Sequence, residues 1–183
     1  MSPLETVFAA LITAVSAAGL ILTSHVLEGR DKIRWQMFRF YTSLSNAAVF
    51  VTHALLLIPG PVREALRSAR GRYITTLCIL VTFLVYFFVL TPCGRIDDKT
   101  LKALGVKRLS NLIVHYLVPG LTALEWLTAA DKRGLGLADV LCWLLVPLCY
   151  LLLCLWRARH KPSNGFAGNR FVYGLVYPGI SGI

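Results

Sequence analysis

The chain has 183 residues, of which 56% are apolar and only 15% charged, with a mean hydropathy of +0.65. That balance excludes a water-soluble globular domain, a disordered chain, collagen and a disulfide scaffold. The 19 Lys and Arg against 9 Asp and Glu leave a formal charge of +10. The cations sit between apolar runs, where they meet lipid headgroups, and not in an aromatic-interleaved stripe, which argues against a nucleic-acid partner.

About 20 residues rising about 1.5 Å each cross roughly 30 Å of hydrocarbon, and five runs are long enough. The first covers residues 4–27 and is expected to stay as an anchor, because Met1 to Thr6 lack the basic start of a cleaved signal. Ala10, Ala14 and Ala18 are expected to form its small-residue packing seam. A second run, 38–58, is followed by the linker 59–72, which begins PGP, and a third covers 73–91. The connection 92–108 carries Asp97 and Asp98 before TLKAL and Gly105, the pattern of a short capped interfacial helix. The fourth run is 109–130 and the fifth 138–156, after which RARHK leads to FVYGLVYPGISGI, too short to span as a regular helix. The reading is an all-α, polytopic integral membrane bundle of five transmembrane helices plus a short C-terminal tail, a single domain over 1–183.

Five cysteines show no C-x-x-C pair and no metal-ligand spacing, and Cys78, Cys142, Cys149 and Cys154 read as small hydrophobes within the runs. No metal and no cofactor is expected. Trp35, Trp126, Trp143 and Trp156 lie near span ends, as an aromatic belt requires. With alternating connections, 13 Lys and Arg fall on one face and six (Arg63, Arg67, Arg70, Arg72, Lys132, Arg133) on the other. The richer face is expected to be cytoplasmic, with the N-terminus outside and the tail inside.

Polar side chains at membrane depth cost free energy, so each marks a helix-helix hydrogen bond or a working site. The second span opens FRFYTSLSNAAVF, in which Thr42, Ser45 and Asn46 share a face; His53 lies about 20° off it. The fourth opens SNLIVHYLVPGLTALEW, with Asn111 one turn before His115, Thr122 two turns after, and Pro119 set to clash with the His115 carbonyl. Both helices start from the same basic face, which places Thr42 and His115 at depths of about 6 and 9 Å, and His25 reaches that face too. A threonine becomes a useful nucleophile once a neighbouring base takes its proton, and His115 is a candidate base. No Asp or Glu lies in that half of any span, so Asn46 or Asn111 would orient the imidazole or donate to an oxyanion, with Ser45 in support. Glu125, the acid set furthest into a span, lies at a depth its side chain can escape by snorkelling and is expected to have an interfacial or structural role. Interhelical hydrogen bonding alone would also account for these groups.

The segments FRFYTSLSNAAVF and NLIVHYLVPGLTALEW, followed by WLLVPLCYLLLCLWR and the tail YPG, resemble bacterial members of the androgen-induced, FAR/AIG-like transmembrane proteins, over nearly the whole chain. The resemblance implies six spans where this chain shows five, and a membrane threonine hydrolase that cleaves fatty acid esters of hydroxy fatty acids. It makes Thr42 the nucleophile and His115 its base. Tyr41, Tyr116 and Trp126 are the aromatic side chains expected to contact a long-chain acyl ester. A noncatalytic protein binding a membrane lipid in the same cavity is the alternative, and haem ligation by His25 and His115 a third reading.

Overall fold

A computed structural model describes residues 1–24, 35–92 and 108–160. Among these every regular element is helical. Three helices are long and apolar enough to cross a membrane: Pro3–Ser24, Ala69–Leu90 and Leu137–Arg157. The chain is a helical membrane protein. Helices also occupy the second and fourth expected runs. The second is only 16 residues long, about 24 Å at a 1.5 Å rise, and the fourth carries Asn111, His115, Thr122 and Glu125 along its length. The expected interfacial helix, His25, the cations Arg30, Lys32, Arg34, Arg95, Lys99, Lys102 and Lys107, and the aromatic tail lie outside the described residues.

The first compact unit runs Met1–Asp139 and the second Val140–Ile183. In the first, α1 (Pro3–Ser24) begins with a reciprocal cap: Ser2 Oγ accepts from Glu5 N–H at 3.1 Å while Glu5 Oε2 accepts from Ser2 N–H at 2.6 Å. A 3-10 turn, Trp35–Arg39, leads into α2 (Tyr41–Leu56). The short α3 (Pro61–Arg67) replaces the expected linker, starting at a proline whose missing N–H is tolerated in a first turn. Ser68 Oγ then accepts from Gly71 N–H at 3.3 Å and caps α4 (Ala69–Val85), which therefore starts four residues before the expected boundary at Tyr73. A π turn, Tyr86–Leu90, ends that helix. The fourth run is one continuous helical path, α5 (Arg108–Leu112), a π turn Ile113–Leu117 and α6 (Val118–Thr128). After Thr128, Gly134 at φ 80° takes a left-handed turn open to glycine. In the same connection Arg133 donates to both Asp131 oxygens at 2.8–3.1 Å and holds that carboxyl down at about 2. Next come α7 (Leu137–Trp143) and, after a turn at Leu144, α8 (Leu145–His160), whose Pro147 has no N–H to continue the ladder.

Ile12, Val49, Ile79, Ile113 and Val118 form the apolar centre of the first unit, drawn from α1, α2, α4 and the fourth helical path. Around it the interior is polar: Ser16, Asn46, Ser110, Thr122 and Glu125 are all nearly inaccessible, while Leu4, Val7, Leu11, Val51, Phe88 and Leu127 are exposed. Hydrophobic residues outside and hydrogen-bonded polar groups between helices are what lipid, as solvent, permits.

The expected alanine seam of α1 is corrected. Ala10, Ala14 and Ala18 are exposed, and the buried stripe is Glu5, Ala9, Ile12, Ser16 and Gly19. Spacings of three and four at about 100° per residue define both stripes, and only the position of the neighbouring helices selects between them. At Gly19 a Cβ would stand 2.9 Å from Ile113 Cγ2 and 3.0 Å from Val114 Cγ1. β-branched side chains in a helix have little rotamer freedom to retreat. Gly19→Val is therefore expected to cost about 3 kcal/mol, the upper end of overpacking, whereas Ala18→Val should cost little. The midpoint of unfolding in denaturing detergent checks it, and equal midpoints for the two variants would refute the close approach.

Candidate active site

α2 opens with hydroxyl-bearing residues and starts without a side-chain cap. Phe40 is the extended N-cap residue, and its carbonyl accepts from the Ser43 and Leu44 N–H groups at 3.1 and 3.2 Å. Thr42 therefore lies in the first turn, half-buried. Its carbonyl accepts from Ser45 Oγ at 3.1 Å and from Asn46 Nδ2 at 2.8 Å, while its own hydroxyl makes no hydrogen bond among the described residues.

Asn46, fully buried, also donates from Nδ2 to the Val114 carbonyl at 3.1 Å. One amide nitrogen thus joins the Thr42 carbonyl to that of the residue before His115. Both N–H groups of Asn46 are occupied by these carbonyls, and its buried Oδ1 has no partner. The expectation that Asn46 could donate to an oxyanion is therefore corrected: it fastens α2 to the histidine-bearing helix. Ser45 is likewise a helix-helix contact, its Oγ lying 2.7 Å from Thr82 Oγ1 on α4.

His115 is the middle residue of the π turn Ile113–Leu117. Pro119 is the local cause. It supplies no N–H for the carbonyl four residues back, and Val118 N–H instead bonds five residues back to Ile113. The widened turn absorbs the expected proline clash without breaking the helix. The His115 ring stacks on Tyr86, centroids 3.9 Å apart and planes 25° apart. Tyr86 itself opens the π turn at the end of α4, is 5% exposed, and its hydroxyl oxygen accepts from Asn111 Nδ2. Tyr116 stands edge-on to both Tyr86 and Phe83. Two π turns therefore meet ring to ring at the histidine. Such irregularities gather at functional sites because they turn a side chain away from its regular register.

His115 Nδ1 is buried with no hydrogen-bond partner, and neither ring nitrogen is bonded among the described residues. The other two described histidines differ. His160 Nδ1 bonds the Trp156 carbonyl at 2.8 Å. His53 is held at both nitrogens, Nδ1 by the Val49 carbonyl and Nε2 by Glu125 Oε2, each at 2.8 Å. Of the two described imidazoles inside the bundle, His115 and not His53 has its ring nitrogens free of hydrogen bonds; exposed His160 keeps only its Nε2 lone pair unengaged. No hydrogen bond joins it to the Thr42 hydroxyl.

The far end of the bundle holds a second polar group. Glu125 is 2% exposed and does not snorkel. It pairs with His53 and, through Oε1 at 3.4 Å, with Arg72 Nη1. Arg72 Nη2 lies 2.9 Å from Glu5 Oε1, and Glu5 Oε2 lies 3.4 Å from Arg67. Arg72, expected among the headgroup cations, is 3% exposed, because α4 begins early enough to place it in a buried first turn. Nδ1 of His53 must carry a hydrogen to bond a carbonyl, so its contact with a carboxylate oxygen through Nε2 requires a second proton between them. With both nitrogens occupied, His53 is a structural link and not a base. Trp126 belongs to this end, 5.7 Å from Tyr73 and beneath Lys132. It is 11 residues, about 16 Å, along its helix from His115. Tyr116 is at the histidine, Tyr41 adjoins Thr42 in sequence, and Trp126 is not brought together with them.

Among the described residues no group of His, Cys, Asp and Glu could hold a metal ion, and the His25 member of the haem reading lies outside them. Sequence reasoning missed Tyr86, whose apolar run LVYFFVL gives no sign of a partner, and the joining of Glu5, Arg72, Glu125 and His53, which are far apart in the chain. No known family model, no curated protein and no solved structure matches the chain.

Proposed function

We propose that the chain is a membrane-embedded ester hydrolase acting on long-chain esters such as fatty acid esters of hydroxy fatty acids, with Thr42 as nucleophile and His115 as general base. The observation that carries this reading is the unengaged His115 imidazole, braced by Tyr86 and fastened through Asn46 to the turn bearing the free Thr42 hydroxyl. Thr42 Oγ adds to the ester carbonyl carbon as His115 takes its proton. The tetrahedral intermediate expels the alcohol, which receives that proton, and leaves an acyl-threonine. Water then loses a proton to His115 as it adds to the acyl carbon, and breakdown frees the fatty acid and returns the proton to Thr42. The lipid-facing exterior supports delivery of the substrate from the bilayer, its acyl chain between helices and its ester at the polar layer.

The test is a fluorophosphonate probe on purified protein in lipid nanodiscs, with the adduct mapped by mass spectrometry. Labelling at Thr42 supports the reading. No adduct and no ester hydrolysis, with lipid copurifying, would favour a noncatalytic lipid-binding protein.

The same proposal takes the chain through a bacterial cytoplasmic membrane five times, N-terminus outside. The asymmetry of 13 to six supports this, and burial of Arg72 removes one cation from the poorer face. A reporter fused after His160 is expected to be active only when it requires the cytoplasm; activity restricted to the external compartment would reverse the topology.

A further inference from the structure

We infer that the Tyr86 hydroxyl, oriented by Asn111, is a further catalytic residue: the hydrogen-bond donor to the ester carbonyl oxygen as it becomes an oxyanion. The inference rests on the Thr42 and His115 reading and adds the group that reading lacks. Asn46 cannot supply the donor, because both its N–H groups hold backbone carbonyls.

Register places Tyr86 level with Thr42. The helices α2 and α4 run antiparallel, joined by Ser45 to Thr82 at 2.7 Å and by Thr52 to Thr75 at 3.4 Å. Seven residues forward along α2 match seven back along α4, so the same register continued one turn the other way sets Tyr86 opposite Tyr41 and Thr42. The fourth helical path agrees. Asn46 reaches Val114 on a helix running parallel to α2, as the His53 to Glu125 contact deeper in the bundle also shows. One turn back on each brings Thr42 level with Asn111, the partner of the Tyr86 hydroxyl.

Its hydrogen bonding leaves Tyr86 a donor. A phenol can accept and donate, and here the oxygen accepts from Asn111 Nδ2. That is the only hydrogen bond of the Tyr86 hydroxyl among the described residues, so its proton is turned away from Asn111 with no protein acceptor. A buried O–H left in that state costs free energy, and a carbonyl oxygen brought by a substrate is the complementary acceptor. As the carbonyl carbon becomes tetrahedral, its oxygen gains negative charge and the donated bond strengthens, which makes Tyr86 stabilise the transition state more than the bound ester. The phenolic proton stays on Tyr86 throughout, so proton balance in the dyad is unchanged.

The test uses Tyr86→Phe in the full chain in nanodiscs. It keeps the ring on His115 and removes one hydroxyl. With p-nitrophenyl laurate, kcat is expected to fall about 100- to 1,000-fold, as for loss of an oxyanion donor elsewhere, with KM nearly unchanged. A long-chain trifluoromethyl ketone, which forms the tetrahedral adduct on Thr42, should lose affinity by a similar factor. Asn111→Leu, which frees the hydroxyl to rotate, should show a smaller loss in both and serves if Tyr86→Phe does not fold. Wild-type kcat and ketone affinity in Tyr86→Phe, with Thr42→Ala inactive, overturn the Tyr86 assignment and leave the dyad standing. A wild-type protein that neither hydrolyses ester nor binds ketone overturns both.

Discussion

Thr42→Ala is expected to abolish long-chain ester hydrolysis and covalent probe labelling while lowering stability by about 1 kcal/mol or less. The small structural cost follows from what the side chain touches. Its hydroxyl makes no hydrogen bond among the described residues, and its carbonyl accepts from Ser45 and Asn46 within α2, bonds that alanine retains. The large chemical cost follows from the proposed mechanism, in which the lost oxygen is the one that forms the acyl-enzyme. His115→Ala is expected to be equally inactive and less stable, because it empties the space against Tyr86 and forfeits the 3.9 Å ring stack. The double variant should be no worse in rate than either single one, since nucleophile and base act as a unit. Initial rates on a chromogenic ester, in-gel probe fluorescence and a detergent unfolding curve give the three readouts. Wild-type turnover in Thr42→Ala would remove the dyad from consideration.

The second large effect lies at the opposite end of the bundle. Arg72→Ala removes the cation shared by Glu5 and Glu125, leaving Glu5 only Arg67 at 3.4 Å and Glu125 only His53, and breaking a buried pair typically costs about 3–5 kcal/mol. Glu125→Ala should cost a similar amount, leaving His53 Nε2 without a partner and Arg72 with Glu5 alone, whereas Glu125→Gln keeps a hydrogen-bonding partner for His53 and should cost less. Because these side chains are 2–7% exposed, the loss should respond weakly to ionic strength, unlike that of a surface pair. The measurement is the midpoint of unfolding at low and high salt. A loss below about 1 kcal/mol for Arg72→Ala would mean that the four groups are not a closed buried chain.

The placement of the helices was legible in the residues themselves. Hydropathy recurs locally and needs only a window of about 20 residues, so each of the five runs coincides with helix, and polar side chains inside the runs marked the Thr42 and His115 segments as worth attention. Helix boundaries were less secure at the third run, because the capping Ser68 lies in a stretch that composition reads as linker.

Which helical face meets which neighbour was decided by tertiary packing alone. A periodicity of 3.6 allows several stripes on α1, and the close approach at Gly19 selects the one through Ala9, Ile12 and Ser16 over the alanines beside it. The same holds for charge. Glu125 and Arg72 each look able to reach an interface, yet antiparallel α4 and parallel α6 bring them together with Glu5 and His53, so mutual pairing replaces hydration. The freedom of His115 is also a tertiary property: a histidine in sequence carries no record of whether its nitrogens are occupied, and the π turn before Pro119 meets the π turn that Tyr86 opens only because the two helices pack together. Local chemistry specified which segments were helical and polar, and long-range contacts, which no local pattern encodes, determined which polar groups were satisfied and which were left without a partner.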